Sequence, residues 1–159
     1  MKSVNLFTIE TEADPSEPPG YVAPRAKIGP MIGAAMVGGS IYELASEQSI
    51  CPFHYEYGNE EWLIVLEGHP VLRHYEGDGE AETLLAPGDV VCFPQGREGA
   101  HKVTNKTGSP VRVLMLSTMN DPSAAVYPDS GKIGVWPGDE RDNLLVRRES
   151  AVDYYDGES

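Results

Sequence analysis

Between Ile41 and Thr118 the chain is cut into short runs of β-forming residues, each closed within a few positions by glycine, proline or a charged turn. The runs are IYEL (41–44), EWLIVLEG (61–68), PVLRHY (70–75), AETLL (81–85), VVCF (90–93), HKVTN (101–105) and VRVLMLST (111–118). Between them stand EGDGE (76–80), APGD (86–89), PQGREGA (94–100) and KTGS (106–109), whose residue types suit tight turns. Short strands at this spacing predict an all-β antiparallel sandwich or barrel. Helix signals are weak, and only residues 139–149 can make a turn or two.

The flanks read differently. Residues 1–40 form an N-terminal arm and edge segment, with Val4, Leu6 and Phe7 as a short strand or turn. The stretch from Glu12 to Gly20 is acidic and proline-rich, a poor helix and a poor central strand. KIGPMIGAAMVGGS (27–40) is expected as loop or edge structure. Residues 119–159 read as a C-terminal loop and tail packing on the barrel of residues 41–118. Tyr127 and Trp136 anchor an ordered loop over 126–143, and Tyr154 and Tyr155 pack back on the barrel or on a neighbouring subunit. A length of 159 residues suits one domain with a real core.

A formal net charge of −13 argues against nucleic acid as a partner and against adsorption on anionic lipid, since both require clustered Lys and Arg. The first twenty residues lack an apolar segment of signal-peptide length, and no run approaches the roughly 20 apolar residues of a membrane span. The expected location is cytoplasmic. Two cysteines, Cys51 and Cys92, are too few for a disulfide framework, and each reads as a small buried apolar residue. No Ser-His-Asp spacing or nucleotide-binding glycine loop is present, and GDGE (77–80) is too short for a calcium loop.

Chemistry concentrates in HYEYGNEEWLIVLEG (54–68). Residues i and i+2 of a strand face the same side, so His54 and Glu56 point together. YGNE (57–60) can reverse the chain and return Glu61 near them, and His101 offers a fourth group after the glycine-rich loop. Two imidazoles and two carboxylates can surround a divalent ion from one side, leaving positions for water or substrate. Their charges balance such an ion, and hard oxygen donors favour Mn, Fe or Zn. If Glu56 does not ligate, it can serve as a general base beside the metal. Without metal, Glu56 and Glu61 repel, and one can retain a proton at neutral pH. His69 reads as a turn residue, His74 as entering the pocket or facing water, and Trp62 as core. Tyr55 and Tyr57 should face away from the ligands.

This pattern resembles the cupin superfamily, whose first motif is roughly G(X)5HXH(X)3–4E(X)6G and second roughly G(X)5PXG(X)2H(X)3N. His54 matches the first ligand, and Glu61 and Gly68 match the glutamate and glycine that close the first motif. Gly88, Pro94, Gly96, His101 and Asn105 follow the second motif in order. The departures are Gln48 for the first glycine, Glu56 for the second histidine, and REGA where the family usually has two residues. The resemblance implies a double-stranded β-helix, or jelly-roll barrel, with the site in its mouth and a homodimer formed through sheet edges and arms. Exposed edge strands and an arm with little core of its own agree with pairing.

Three functions stand as expectations. The first is a metal-dependent enzyme acting on a small organic molecule by oxygenase, isomerase or lyase chemistry, with His54, Glu56, Glu61 and His101 as ligands and Glu56 or Glu61 moving protons. The second is a metal-free cupin of isomerase or epimerase type, with His54 or His101 as base. The third is a non-catalytic small-molecule-binding cupin.

Overall fold

Period-two alternation sorts the central strand into two faces. Along Glu61–Glu67, Leu63 and Val65 are buried in one apolar cluster, while Ile64 and Leu66 join another on the opposite side. The computed structural model describes residues 1–158, and most of them lie in or between short strands. In chain order these are β1 (Arg25–Lys27), β2 (Gly38–Leu44), β3 (Tyr55–Tyr57), β4 (Glu61–Glu67), β5 (Val71–Glu76) and β6 (Gly79–Leu84). They continue as β7 (Val90–Phe93), β8 (His101–Thr104), β9 (Val111–Ser117), β10 (Ser123–Tyr127), β11 (Lys132–Trp136) and β12 (Leu144–Arg147).

One layer is a sheet in the order β1-β2-β9-β4-β7. The other is built from β6-β5-β8 and β12-β11-β10-β3. Isolated bridges at Ser49–Thr104 and His54–His101 join these two sheets. Every pairing is antiparallel, and the layers enclose Leu44, Leu63, Val65, Leu72, Phe93, Val103, Val111, Val113 and Met115. This is the expected all-β jelly-roll barrel.

A second cluster lies on the outer face of the five-stranded sheet, where Val4, Leu6 and Ile9 of the arm and Ile28 cover Ile41 and Leu114. Arg112 straps the arm down. Its guanidinium donates to the carbonyls of Leu6 (2.8 Å) and Ile9 (2.6 Å) and pairs with Glu43. The arm therefore finds apolar cover on its own sheet.

Several expectations fail locally. Residues 27–40 are not all loop, because Ile28–Ile32 makes one helical turn, closed by Gly33 at φ +80°. Residues 126–143 are not a loop, because β10 and β11 pair there in register from Ser123–Trp136 to Tyr127–Lys132. The turn or two expected near 139–149 is present as two three-residue 3-10 turns, Glu140–Asp142 before β12 and Arg148–Ser150 after it. The alternation of Lys132–Trp136 was hidden by Gly134, whose missing side chain makes room for the Trp136 ring. Tyr154 and Tyr155 are exposed and do not pack on their own barrel, which leaves a neighbouring subunit as the expected contact. Trp62 is 43% exposed, because it falls on the outward phase of β4. Cys92 is exposed on the outward phase of β7, and Cys51 is only half-buried.

Candidate metal centre

His54 and His101 face one another as a backbone-bonded antiparallel pair. The His54 amide donates to the His101 carbonyl at 3.2 Å, and the reverse bond is 2.9 Å. Such a pair puts two side chains on one face of the sheet, and here the ring centroids are 4.7 Å apart. The opposite layer supplies the carboxylate. Glu61 starts β4 and pairs across the sheet with Phe93 at the end of β7. Phe93 in turn stacks on the His101 ring.

Both imidazoles are oriented from behind. His54 Nδ1 lies 3.0 Å from the Pro52 carbonyl and His101 Nδ1 2.9 Å from the Gly99 carbonyl. A carbonyl only accepts, so each Nδ1 carries the proton and each Nε2 keeps its lone pair. Those lone pairs converge on one atom: Nε2 of His54 and of His101 lie 3.7 and 3.6 Å from Oε2 of Glu61. The His101 Nε2 is buried and has no hydrogen-bond partner, in a side chain only 1% exposed.

These contacts are close in the manner of ion pairs, yet the charges do not develop at neutral pH. Burial, aided by His54, holds the His101 imidazole down at about 3, and burial also lowers His54. Burial, then the neighbouring Glu56, pushes the Glu61 carboxyl up to about 8. A proton on Glu61 can satisfy only one of the two lone pairs. A divalent cation satisfies both and neutralises the carboxylates, so the donor set fits such an ion.

Glu56 joins His54 and Glu61 in a set whose ligand atoms all lie within 4.8 Å of one another, and that set does not include His101. Glu56 sits in β3 opposite buried Ala125, on the side of His54, as the i/i+2 spacing requires. His74 shares a cross-strand pair with His101, but its Nδ1 lies 3.0 Å from the Tyr75 carbonyl and its Nε2 3.0 Å from the Thr83 hydroxyl. Both nitrogens are thus committed. His69 Nδ1 is turned to the Leu85 carbonyl at 3.1 Å.

Three neighbours escaped the sequence reading. Tyr127 stacks on His54 with centroids 5.7 Å apart. It lies in a segment read as loop, so no periodicity flagged it. Cys51 brings Sγ to 3.6 Å from His54 Nδ1. Gly99 lies in the extra residues of the REGA loop, which form the 3-10 turn Arg97–Gly99. That lengthening places the carbonyl that holds His101. The motif asparagine, Asn105, serves structure: fully buried, it donates to the Leu44 and Ser109 carbonyls and accepts from Thr107.

Comparison with known proteins places these features in a wider set. The family described as cupin domain matches residues 40–117. A crystal structure from Acidithiobacillus ferrooxidans, provisionally described as a sugar phosphate isomerase, superposes with a TM-score of 0.78 at 21% identity, covering 92% of this chain and 90% of that one. A sugar phosphate isomerase from a cupin superfamily, from Silicibacter pomeroyi, gives 0.76 at 22% identity over 97% and 98%. Bacillus subtilis oxalate decarboxylase, described with Mn(II) centres, gives 0.53 at 17% identity, with 74% of this chain matched to 30% of that one. At these identities the likeness is one of fold. Among curated proteins none matches the chain in sequence. Among the described residues no helix is long and apolar enough to cross a membrane.

Proposed function

The chain belongs to the cupin superfamily, and from that premise we propose that it is a divalent-metal enzyme that moves a proton on a small hydroxy-carbonyl compound, an isomerase-type reaction. The observation that carries this reading is the convergence of the His54 and His101 Nε2 lone pairs on Glu61, with the His101 nitrogen otherwise unpartnered. His54, His101 and Glu61 would hold the ion, with Glu56 in reach as a further ligand. When bound, the ion supplies charge that polarises a carbonyl or hydroxyl oxygen of the substrate.

The rest of the chemistry falls to the chain. Glu56 is a carboxylate beside His54 and Glu61 and can take a proton from carbon or oxygen and return it. Phe93 and Tyr127 close the walls on either side of the imidazoles and limit water. Burial and the carboxylates of Glu56 and Glu61, together with Cys51, push the Tyr127 phenol up, so it acts as a neutral donor. Lys132, 5.2 Å from the Tyr127 ring, offers positive charge for an anionic substituent. The sugar phosphate isomerase descriptions of two structural neighbours agree with this class of substrate.

The test is elemental analysis of protein purified without added metal, with exchange of substrate hydrogen for deuterium followed by NMR over a panel of hydroxy-aldehydes and ketones. About one ion per chain is expected, lost in His54→Ala and in His101→Ala while the far-ultraviolet dichroism of the barrel persists. Wild-type protein that binds no divalent ion would remove the reading. A second reading, metal-free acid–base catalysis, draws support from Glu61 itself, since a carboxyl at about 8 between two neutral imidazoles can exchange a proton near neutrality. Undiminished turnover after exhaustive chelation would favour it.

A further inference from the structure

The same two imidazoles belong to a second possible donor set. Ligand atoms of Cys51, His54 and His101 also lie within 4.8 Å of one another. Sγ of Cys51 stands 3.6 Å from His54 Nδ1, the nitrogen that donates to the Pro52 carbonyl. Glu61 stands on the Nε2 side of the histidine pair, whereas the Cys51 sulfur stands beside His54 Nδ1, so thiolate and carboxylate meet at one ion once the His54 ring turns from the Pro52 carbonyl. Cys51 also lines a surface cleft of about 520 Å3 with Tyr21, Phe53 and Lys132. In a tetrahedral site with zinc–sulfur and zinc–nitrogen bonds near 2.3 and 2.0 Å, ligand atoms stand about 3.5 Å apart. This set, its ligand atoms within 4.8 Å of one another, contracts to that spacing with a turn of the His54 ring away from the Pro52 carbonyl.

We propose that Cys51 is a ligand of this centre, its thiolate completing with His54, His101 and Glu61 a sulfur-containing set that selects a thiophilic divalent ion such as zinc over manganese. The proposal rests on the metal-binding reading above. As the sulfur–metal bond forms, the thiol releases one proton to solvent and no electrons move. Two neutral imidazoles, one carboxylate and one thiolate then balance a dication. Glu56 is left out of the coordination sphere and stays free to move protons, which resolves its two possible roles in favour of the base. Nitrogen and oxygen donors already bind zinc more tightly than manganese, and a soft thiolate widens that gap.

Cobalt(II) is the probe. Chelator-treated wild-type protein is titrated with cobalt chloride and read for a near-ultraviolet sulfur-to-metal charge-transfer band, beside Cys51→Ser, Cys51→Ala and Cys92→Ser. Wild type and Cys92→Ser are expected to develop the band and saturate at one equivalent. Both Cys51 variants should bind cobalt without it. The preference for zinc over manganese, measured by competition, should fall in Cys51→Ser by at least the roughly 10–100-fold that even an outer-shell partner is worth. One bound cobalt in wild type with no sulfur band overturns the ligand role of Cys51 and leaves the metal reading standing. No cobalt bound at all overturns both. A band that survives in Cys51→Ser and disappears in Cys92→Ser also overturns the proposal, and because the decisive spectrum is that of wild type, a variant that fails to fold does not protect it.

Discussion

The Phe93 ring lies flat on the imidazole of His101, centroids 3.7 Å apart and planes inclined by 10°. The contact ties two cross-strand pairs together, Glu61 with Phe93 in one layer and His54 with His101 in the other. It fixes the ring plane and so aims Nε2. Phe93→Leu keeps most of the volume and should cost about 1–1.5 kcal/mol in urea denaturation. It should nevertheless weaken metal binding by roughly 10–100-fold, as loss of an outer-shell partner does, in competition with a chromophoric chelator. Unchanged affinity would mean that the stacking only fills space.

Glu56 separates ligation from proton transfer. Glu56→Gln should retain the metal and lose roughly 100- to 10,000-fold in turnover, the usual range for a general acid–base group. Glu56→His, which restores the usual cupin ligand type, should also retain metal. Loss of metal from Glu56→His, measured by elemental analysis after dialysis, would show that the side chain at 56 acts in another way.

Metal-stripped protein should lose stability as pH rises from about 6.5 to about 8.5. The Glu61 carboxyl has its folded value raised to about 8 from 4.5. A raised group contributes stability that is complete below its unfolded value and lost as pH rises through the folded one. His101, lowered to about 3, and His54, also lowered, act in the opposite direction and only below their ordinary 6.5. Glu61 alone therefore sets the slope over this window, on the order of 1–2 kcal/mol. Thermal melts with and without Zn2+ check it. The slope should vanish in Glu61→Gln and on adding metal.

Gly99 is the tightest backbone approach at the site. A Cβ there would stand 1.8 Å from the Pro94 carbonyl oxygen and 2.9 Å from its carbon. Gly99→Ala must displace the 3-10 turn and with it the carbonyl that accepts from His101 Nδ1. A cost of about 2–4 kcal/mol and loss of metal are expected. Gly108→Ala, where a Cβ meets nothing within 4 Å, is the control and should stay within about 0.5 kcal/mol.

Arg112 should govern the arm. Its side chain is buried, and Arg112→Ala leaves the Leu6 and Ile9 carbonyls and the Glu43 carboxylate without their donor. Glu43 is partly solvated, so the loss should be about 2–3 kcal/mol rather than the full cost of a buried orphaned charge. Limited proteolysis should then cut within residues 1–12 faster than in wild type, with the barrel intact.

The strands from Ile41 to Ser117 were legible because each carries its own alternation and its own turn residues. EWLIVLEG is β4, VVCF is β7 and VRVLMLS is β9, within a residue or so at each end. The segment from Ser123 to Arg147 was not legible. β10 is small and unpatterned (Ser-Ala-Ala-Val-Tyr), and Gly134 breaks β11 where the Trp136 ring crosses it. Those strands form because β3 offers an edge to pair with, which is a tertiary condition. Trp62 and Cys92 were misread for a related reason: residue type suggested burial, whereas the phase of the strand turned them out.

Local spacing in the sequence sufficed for the barrel's strand runs, for the shared side of His54 and Glu56, and for Glu61 as the first residue of the strand that follows, because strand periodicity is a property of neighbouring residues. Folding alone decided that His54 would exchange backbone hydrogen bonds with His101, that Cys51 would stand beside them, and that a lengthened loop would hold the second imidazole by a carbonyl. It also decided the charges, since burial, which sets Glu61 high and His101 low, depends on what the opposite layer of the barrel excludes from water.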